Sequence, residues 1–469
     1  MPYSLAVPAS RIPVLSRAGG RADRAAPVRM LHLGLGNFFR AHQAWYTDRA
    51  SDAGQWGIAA FTGRRPGLAD VLSAQGGLYT LLTRGSEGDR FDILAGLSAT
   101  HAGNDHRAWT GHWRLPGLAV VTLTVTEAGY SRRPGGGLDT GADSVATDIA
   151  ALRADPTAPA VTAAGKLLAG LAARDRGGFG RVAVVSCDNL PDNGRALENT
   201  VRELARHTGR PELTAAIDRC ATFATTVVDR ITPRTTDEDL AAVAAATGLA
   251  DAAPVVTEPF SEWVISGEFP AGRPRWEEAG ARFVADVTPY EQRKLWLLNG
   301  AHSLLAYAGG IRGRTTVADA VADPVCRDWL AEWWAEASRH LTLPQKESAA
   351  YRTALLERFA NPRIRHALAQ IAADGSQKLP VRILPVLRRE RAAGRVPQGA
   401  VRVLAAWVCH LRGLGVPVTD TEAARIVPLA QGPLPAAVRG ILTFLGPELA
   451  ADLTLVDAVR GQAEALCAP

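Results

Sequence analysis

The segment Val28-Arg-Met-Leu-His-Leu33, followed by Gly34-Leu-Gly36-Asn-Phe-Phe39-Arg-Ala-His-Gln43, constrains the fold more than any other part of the chain. A short apolar run, two glycines and a helical pattern are the parts of a strand, a tight turn and a helix start, the ingredients of a dinucleotide site. Glycine lets the backbone turn sharply and approach a pyrophosphate, whose charge the free N–H groups of the helix favour. The third fingerprint position holds Phe39, giving Gly-x-Gly-x-x-Phe. An ordinary strand-to-helix turn therefore stays open beside the nucleotide reading. The candidate cofactor contacts are Gly34, Gly36, Asn37 and Phe38.

Up to about residue 285, apolar runs alternate with helical stretches, as in an α/β domain. Strands are expected at 30–33, 56–61, 118–124, 182–186 and 254–256. From about 286 onward strand signals fade, and helices are expected at 294–308, 328–340, 351–359, 363–373, 401–412 and 434–445. A chain of 469 residues should split into two domains. The expected fold is α/β: a Rossmann-like, doubly wound N-terminal domain at 1–285, including an N-terminal extension, and a mainly α-helical substrate domain at 286–469. The site is expected in the cleft between them.

Composition excludes several classes. Hydrophobic residues make up 47% and charged residues 21%, an ordinary globular balance. A net charge of +5 suits a mildly anionic ligand and gives no argument for nucleic acid. No run reaches 18 uncharged apolar residues, so no membrane span is expected. The first 27 residues carry Arg11, Arg17, Arg21 and Arg24 without a glutamate. They faintly resemble a transit peptide but are read as a plain extension. The five cysteines (187, 220, 326, 409 and 467) include no C-x-x-C, which fits a reducing cytoplasm. His101, His106 and His112 lie close together without a cysteine partner. They are read as a loop, and no metal site is expected.

The run Lys294-Leu-Trp-Leu-Leu-Asn299-Gly-Ala-His302 carries chemistry. On an α-helix Asn299 would lie roughly 140° and His302 roughly 80° around the axis from Lys294. Thr288-Pro289-Tyr290-Glu291 reads as the helix start, with Thr288 and Glu291 as a capping box. Lys294 would then lie near the positive helix end, which disfavours its protonated form, and burial acts the same way. Tuned to about 7–8, such a lysine serves as a general base. Tyr290-x-x-x-Lys294 also spells the catalytic pair of short-chain dehydrogenases, a chance match in a chain this long.

Three loops carry polar groups after apolar strands: Thr124–Tyr130, Ser186-Cys-Asp-Asn189-Leu-Pro-Asp-Asn193 and Asp229-Arg-Ile-Thr-Pro233. Ligands bind beyond the carboxyl ends of strands in open sheets, although turn chemistry alone also explains such residues. The second strand ends in Gly63-Arg64-Arg65-Pro66 with no carboxylate. Arg64 and Arg65 would suit a 2′-phosphate, or form a solvated basic loop.

Taken together, these motifs resemble the polyol-specific long-chain dehydrogenases, the mannitol dehydrogenase family, which includes mannitol 2-dehydrogenase and fructuronate reductase. The likeness runs from about residue 28 to 380. It adds Glu-Pro-Phe-Ser-Glu-Trp-Val-Ile (258–265) and Asp-Gly-Ser-Gln-Lys-Leu-Pro (374–380) to the motifs above. It implies a metal-independent, NAD(P)-dependent polyol or sugar dehydrogenase acting on a CH–OH group. Lys294 matches the catalytic base, Asn299 and Asn189 the oxyanion donors, and His302 the residue that positions the substrate oxygen. Asp229 matches a residue near the nicotinamide, and Glu291 a glutamate that serves proton exchange or simply caps. NAD is the family default, and Arg64 and Arg65 leave NADP open. Phe39 departs from the family's common histidine, and Val381-Arg382 stands where some relatives place another polar residue. The main expectation is interconversion of a polyol and a ketose. A fructuronate or tagaturonate reductase is the alternative. Its substrate carboxylate would need a cation from among Arg363, Arg365, Lys378 and Arg382. A nucleotide-binding sensor without turnover is the non-enzymatic alternative. The expected partner is a small sugar or polyol, with no nucleic acid or membrane, and the protein a monomer or small homo-oligomer.

Overall fold

The computed structural model describes residues 12–17, 25–63, 66–133 and 136–467. The chain divides into two compact units, Met1–Val287 and Thr288–Pro469.

Among the described residues, the first unit is built on eleven strands: β1 (Val28–Leu33), β2 (Gly57–Phe61), β3 (Tyr79–Arg84), β4 (Asp89–Leu94), β5 (Leu97–His101), β6 (Val120–Leu123), β7 (Val182–Ser186), β8 (Ala221–Asp229), β9 (Val255–Thr257), β10 (Glu262–Ser266) and β11 (Arg282–Phe283). Eight form one sheet in the order β11-β10-β8-β7-β6-β1-β2-β5. From β5 across to β8 every pairing is parallel, and β10 then pairs antiparallel with β8. β4, β3 and β9 form a second, three-stranded sheet. The central strands are apolar on both faces because both faces are covered. Alternate residues of β7 serve opposite layers: Val182 and Val184 pack with Trp109, Trp113 and Leu167, whereas Ala183 and Val185 pack with Phe39, Tyr46 and Trp263.

β1 has β2 on one side and β6 on the other. The strand order therefore reverses at β1, the switch point where doubly wound sheets bind ligands. Residues of the N-terminal extension are tied down: Val14 bridges Ala250, and Arg17 donates to the carbonyls of Gly76, Ala95 and Leu97.

The histidines read as a loop lie on regular elements instead. His101 ends β5, and His106 and His112 belong to the helix His106–Trp113. Asp105 starts that helix by accepting the Ala108 N–H. The His101 and His112 Nε2 atoms lie 3.1 Å apart, while His106 bonds the Thr157 carbonyl. Among the described residues, no group of three or more His, Cys, Asp or Glu is arranged to hold a metal.

The second unit is helical. Its first helix runs from Thr288 as α-helix to Arg293, as π-helix over Lys294–Asn299, as α-helix over Gly300–Leu304 and as π-helix again over Leu305–Gly309. The expected helix at 363–373 is shorter: only Leu368–Ala372 is helical. Asn361 and Pro362 end the preceding helix, the Asn361 side chain accepts the Arg363 N–H, and Ala367 bridges Thr316. Helix Gln398–Leu411 is buried from Gly399 to Leu411 and packs against the last helix, Leu453–Cys467. Cys409 and Cys467 face each other there at 3.0 Å, and all five cysteines are free thiols. No helix among the described residues is long and apolar enough to cross a membrane.

Candidate active site

The turn after β1 explains its first glycine. Gly34 has φ +111°, and a Cβ there would lie 2.0 Å from the Thr124 carbonyl oxygen at the end of β6. No side chain fits, because the switch-point strands close on each other there. A Cβ on Gly36 would meet only the Gly34 oxygen, at an ordinary 3.5 Å. Asn37 and Phe38 follow on the short helix Asn37–Ala41, where Asn37 Oδ1 accepts Arg40 Nη2 at 2.8 Å and Phe38 stacks on His42. Phe39 lies flat against His32 of β1, with ring centroids 3.4 Å apart and planes inclined by 6°. The close helix–strand approach that a third glycine usually permits is here filled by two stacked rings.

The polar loops after β6 and β7 are knitted together. Asp188 accepts the Thr126 N–H at 2.7 Å and the Tyr130 hydroxyl at 3.1 Å, and Tyr130 also bonds Ser186. Burial raises the Asp188 carboxyl to about 6, against the hydrogen bonds that lower it. Thr126, a β-branched residue at φ +67°, is held in that uncommon conformation beside this carboxylate. Asn193 donates to the carbonyls of Asp188 and Thr226 and accepts the Thr226 N–H, so the loop is fixed to β8 as well. Asn189 lies exposed at the tip of this anchored loop, and Asp229 is buried at the end of β8. Arg64 and Arg65 lie outside the described residues.

In the second unit the π turn changes the expected projection. Its hydrogen bonds close on i+5, so Lys294 and Asn299, five apart, come to the same side of the helix instead of diverging by about 140°. His302 follows in the next α-helical turn, buried, with Phe359 at 5.0 Å and His366 edge-on at 4.9 Å between ring centroids. Arg382 reaches the same helix, its Nη1 at 3.4 Å from both the Asn299 carbonyl and Ser303 Oγ. Lys378 points its ammonium at the Ile371 carbonyl, 3.1 Å away. Arg363 is half-buried in the turn after Asn361.

Residues 28–278 match the mannitol dehydrogenase Rossmann domain, and residues 286–433 match the mannitol dehydrogenase C-terminal domain. The chain belongs to the mannitol dehydrogenase family. It is 38% identical over 396 residues to the D-mannonate oxidoreductase of Escherichia coli, covering 82% of this chain and 80% of that one. It is 33% identical over 457 residues to a mannitol 2-dehydrogenase of Pyrenophora tritici-repentis, covering 93% and 79%. Its fold is similar to that of Pseudomonas fluorescens mannitol 2-dehydrogenase in ternary complex with NAD and D-mannitol, with a TM-score of 0.80, 30% identity and coverage of 94% and 92%. As a mannitol dehydrogenase family member the chain is an oxidoreductase with a Rossmann-type domain and a helical C-terminal region. Sequence motifs did not point to Trp333 and Trp334, whose indoles donate to the Trp296 and Leu297 carbonyls of the π turn. Two adjacent tryptophans on a helix were the available signal, and without the π turn they read as core.

Proposed function

We propose that this mannitol dehydrogenase family member interconverts a polyol and a ketose, in the manner of a mannitol 2-dehydrogenase, with Lys294 as general base. The observation that carries the reading is the π turn, which sets an amine and an amide on one side of a largely buried helix with an imidazole one turn on. The glycine turn fits a dinucleotide: Gly34 has no room for a side chain, and Gly36 leaves its own side open. NAD, when bound there, supplies the hydride acceptor. Neutral Lys294 takes the proton of the reacting hydroxyl during oxidation, and its ammonium returns that proton during reduction. Asn299 donates to the oxygen as charge develops, and Asn189 is assigned the second donor from its motif. A preorganised donor of this kind is worth about 2.7–4 kcal/mol of barrier. His302 orients the same oxygen. Ammonium and amides do the polarising, so activity is expected to survive EDTA. Loss on chelation that zinc restores would overturn this and return attention to His101 and His112.

A sugar-acid substrate is the second reading, favoured by the Arg382 guanidinium beside Asn299 and Ser303. A carboxylate would pair with such a cation in a bidentate fork. Reduction of D-fructose, D-fructuronate and D-tagaturonate with NADH and with NADPH separates the readings. Fructose turnover supports the polyol reading, preference for either uronate replaces it with the second, and tight coenzyme binding without turnover leaves only a nucleotide sensor. The same assay addresses the coenzyme. NADP(H) is proposed to be accepted alongside NAD(H), with Arg64 or Arg65 as its anchor. The Arg64→Ala/Arg65→Ala double variant should weaken NADPH binding far more than NADH binding. An equal change in both dissociation constants overturns that role.

A further inference from the structure

Consecutive residues of the helix Pro324–Ser338 donate to consecutive carbonyls of the π turn. Trp333 Nε1 lies 2.9 Å from the Trp296 oxygen, and Trp334 Nε1 lies 2.8 Å from the Leu297 oxygen. Both indoles are buried. Trp333 comes this close because Gly300 has no side chain: a Cβ there would lie 2.6 Å from the indole ring. Its other flank is fixed by Gly399, where a Cβ would lie 2.7 Å from the Trp333 Cα. Trp334 has a second contact, stacking on Phe359 at 6.4 Å, and Phe359 in turn packs on His302.

A π turn is a rare local form that persists where its surroundings favour it over the α-helix. A carbonyl with an outside donor tilts away from the helix axis and gives up part of its preference for the i+4 partner. We propose that Trp334, assisted by Trp333, is a positioning residue for the reaction: the two indole N–H groups hold the π turn that aligns Lys294 with Asn299, and the Trp334–Phe359 stack sets the His302 ring. The proposal deepens the lysine-base reading and rests on it. Nothing in it requires either tryptophan to touch substrate.

Trp334→Phe keeps an aromatic ring facing Phe359 while removing the N–H donor together with one ring, and Trp333→Phe removes the donor to the neighbouring carbonyl. Each should lower kcat about 10–10²-fold, the scale of a small misalignment of reacting groups. KM and coenzyme dissociation constants should stay within a few-fold, and the basic limb of the kcat–pH profile should move with the lysine. Trp329→Phe, on the same helix but stacked on Arg312 and Arg402, is the control and should retain wild-type kinetics. Initial rates are measured with whichever of D-fructose, D-fructuronate and D-tagaturonate the wild type reduces. In a Lys294→Ala background, Trp334→Phe should add clearly less than its loss in the wild type, because part of its effect passes through Lys294. Unchanged kcat in both single variants, an unmoved pH profile, or a full additional loss in the Lys294→Ala background overturns the proposal. If Lys294→Ala alone loses less than about tenfold, below the range for a lost general base, the base reading has failed and the proposal falls with it. If Trp334→Phe does not fold, judged by its melting temperature and coenzyme titration, Trp333→Phe carries the same test.

Discussion

His32 and Phe39 show how one residue changes what a motif looks like. The His32 ring bonds Thr122 Oγ1 at 2.8 Å and Thr124 Oγ1 at 3.0 Å, and burial lowers its pKa to about 3. Held neutral, it offers a flat face on which Phe39 lies, at the position where the dinucleotide fingerprint has its third glycine. The unfolded chain binds a proton at His32 below about 6.5, and the folded one does so only near 3. Unfolding therefore takes up protons in that window, and stability contributed by neutral His32 is present above about 6.5 and falls as pH drops. His32→Gln should reduce proton uptake on unfolding at pH 5 by about one, read from the pH dependence of urea midpoints. An unchanged slope means that His32 is charged in the folded protein. At Lys294, the Ala variant should lose about 10²–10⁴ in kcat while binding coenzyme as before, measured by steady-state rates and fluorescence titration.

At the level of elements, apolar runs were legible and mixed ones were not. β1, β2, β6, β7 and β9 appear as short Val, Leu and Ala stretches because they are covered on both faces. β4, Asp-Arg-Phe-Asp-Ile-Leu, places charges along a half-buried hairpin arm and gives no such run. β8 carries three threonines, which interrupt its apolar run. The π turn could not be read at all. Its residues are ordinary helix formers, and its cause lies some 37 residues away in Trp333 and Trp334. The candidate residues were thus named from motifs, but the feature that aligns two of them depends on tertiary contacts. The helices also meet at a carboxylate: Glu390, fully buried, accepts from Arg339, His340 and Arg395, whose hydrogen bonds hold it far below the usual range. Its stability contribution is present above the unfolded carboxylate pKa and is lost as pH falls through the depressed folded one. The arginines are half exposed. Glu390→Gln should therefore cost more than the ~1 kcal/mol of an exposed pair and less than the ~3–5 kcal/mol of a fully buried one. Urea denaturation at pH 7 measures it, and a cost near zero would show the cluster to be solvent-screened.

For the whole molecule, the match to the family's C-terminal domain ends at residue 433, whereas the helical unit continues through Leu434–Leu445 and Leu453–Cys467. A truncation at the end of the match would look conservative on paper. It would strip the cover that the last helix gives to Gln398–Leu411, a helix buried along its length from Gly399, whose Cys409 faces Ala463 and Cys467. A contiguous apolar patch of that kind drives self-association. A chain ending at 433 should accumulate in inclusion bodies or bind ANS strongly, while the full chain stays monodisperse in light scattering. Equal solubility of the two would mean that the last helices are dispensable trim. In practical terms, the end of the family's C-terminal domain match is not the end of the folding unit, and a solubility screen that starts from that boundary would begin by removing part of the core.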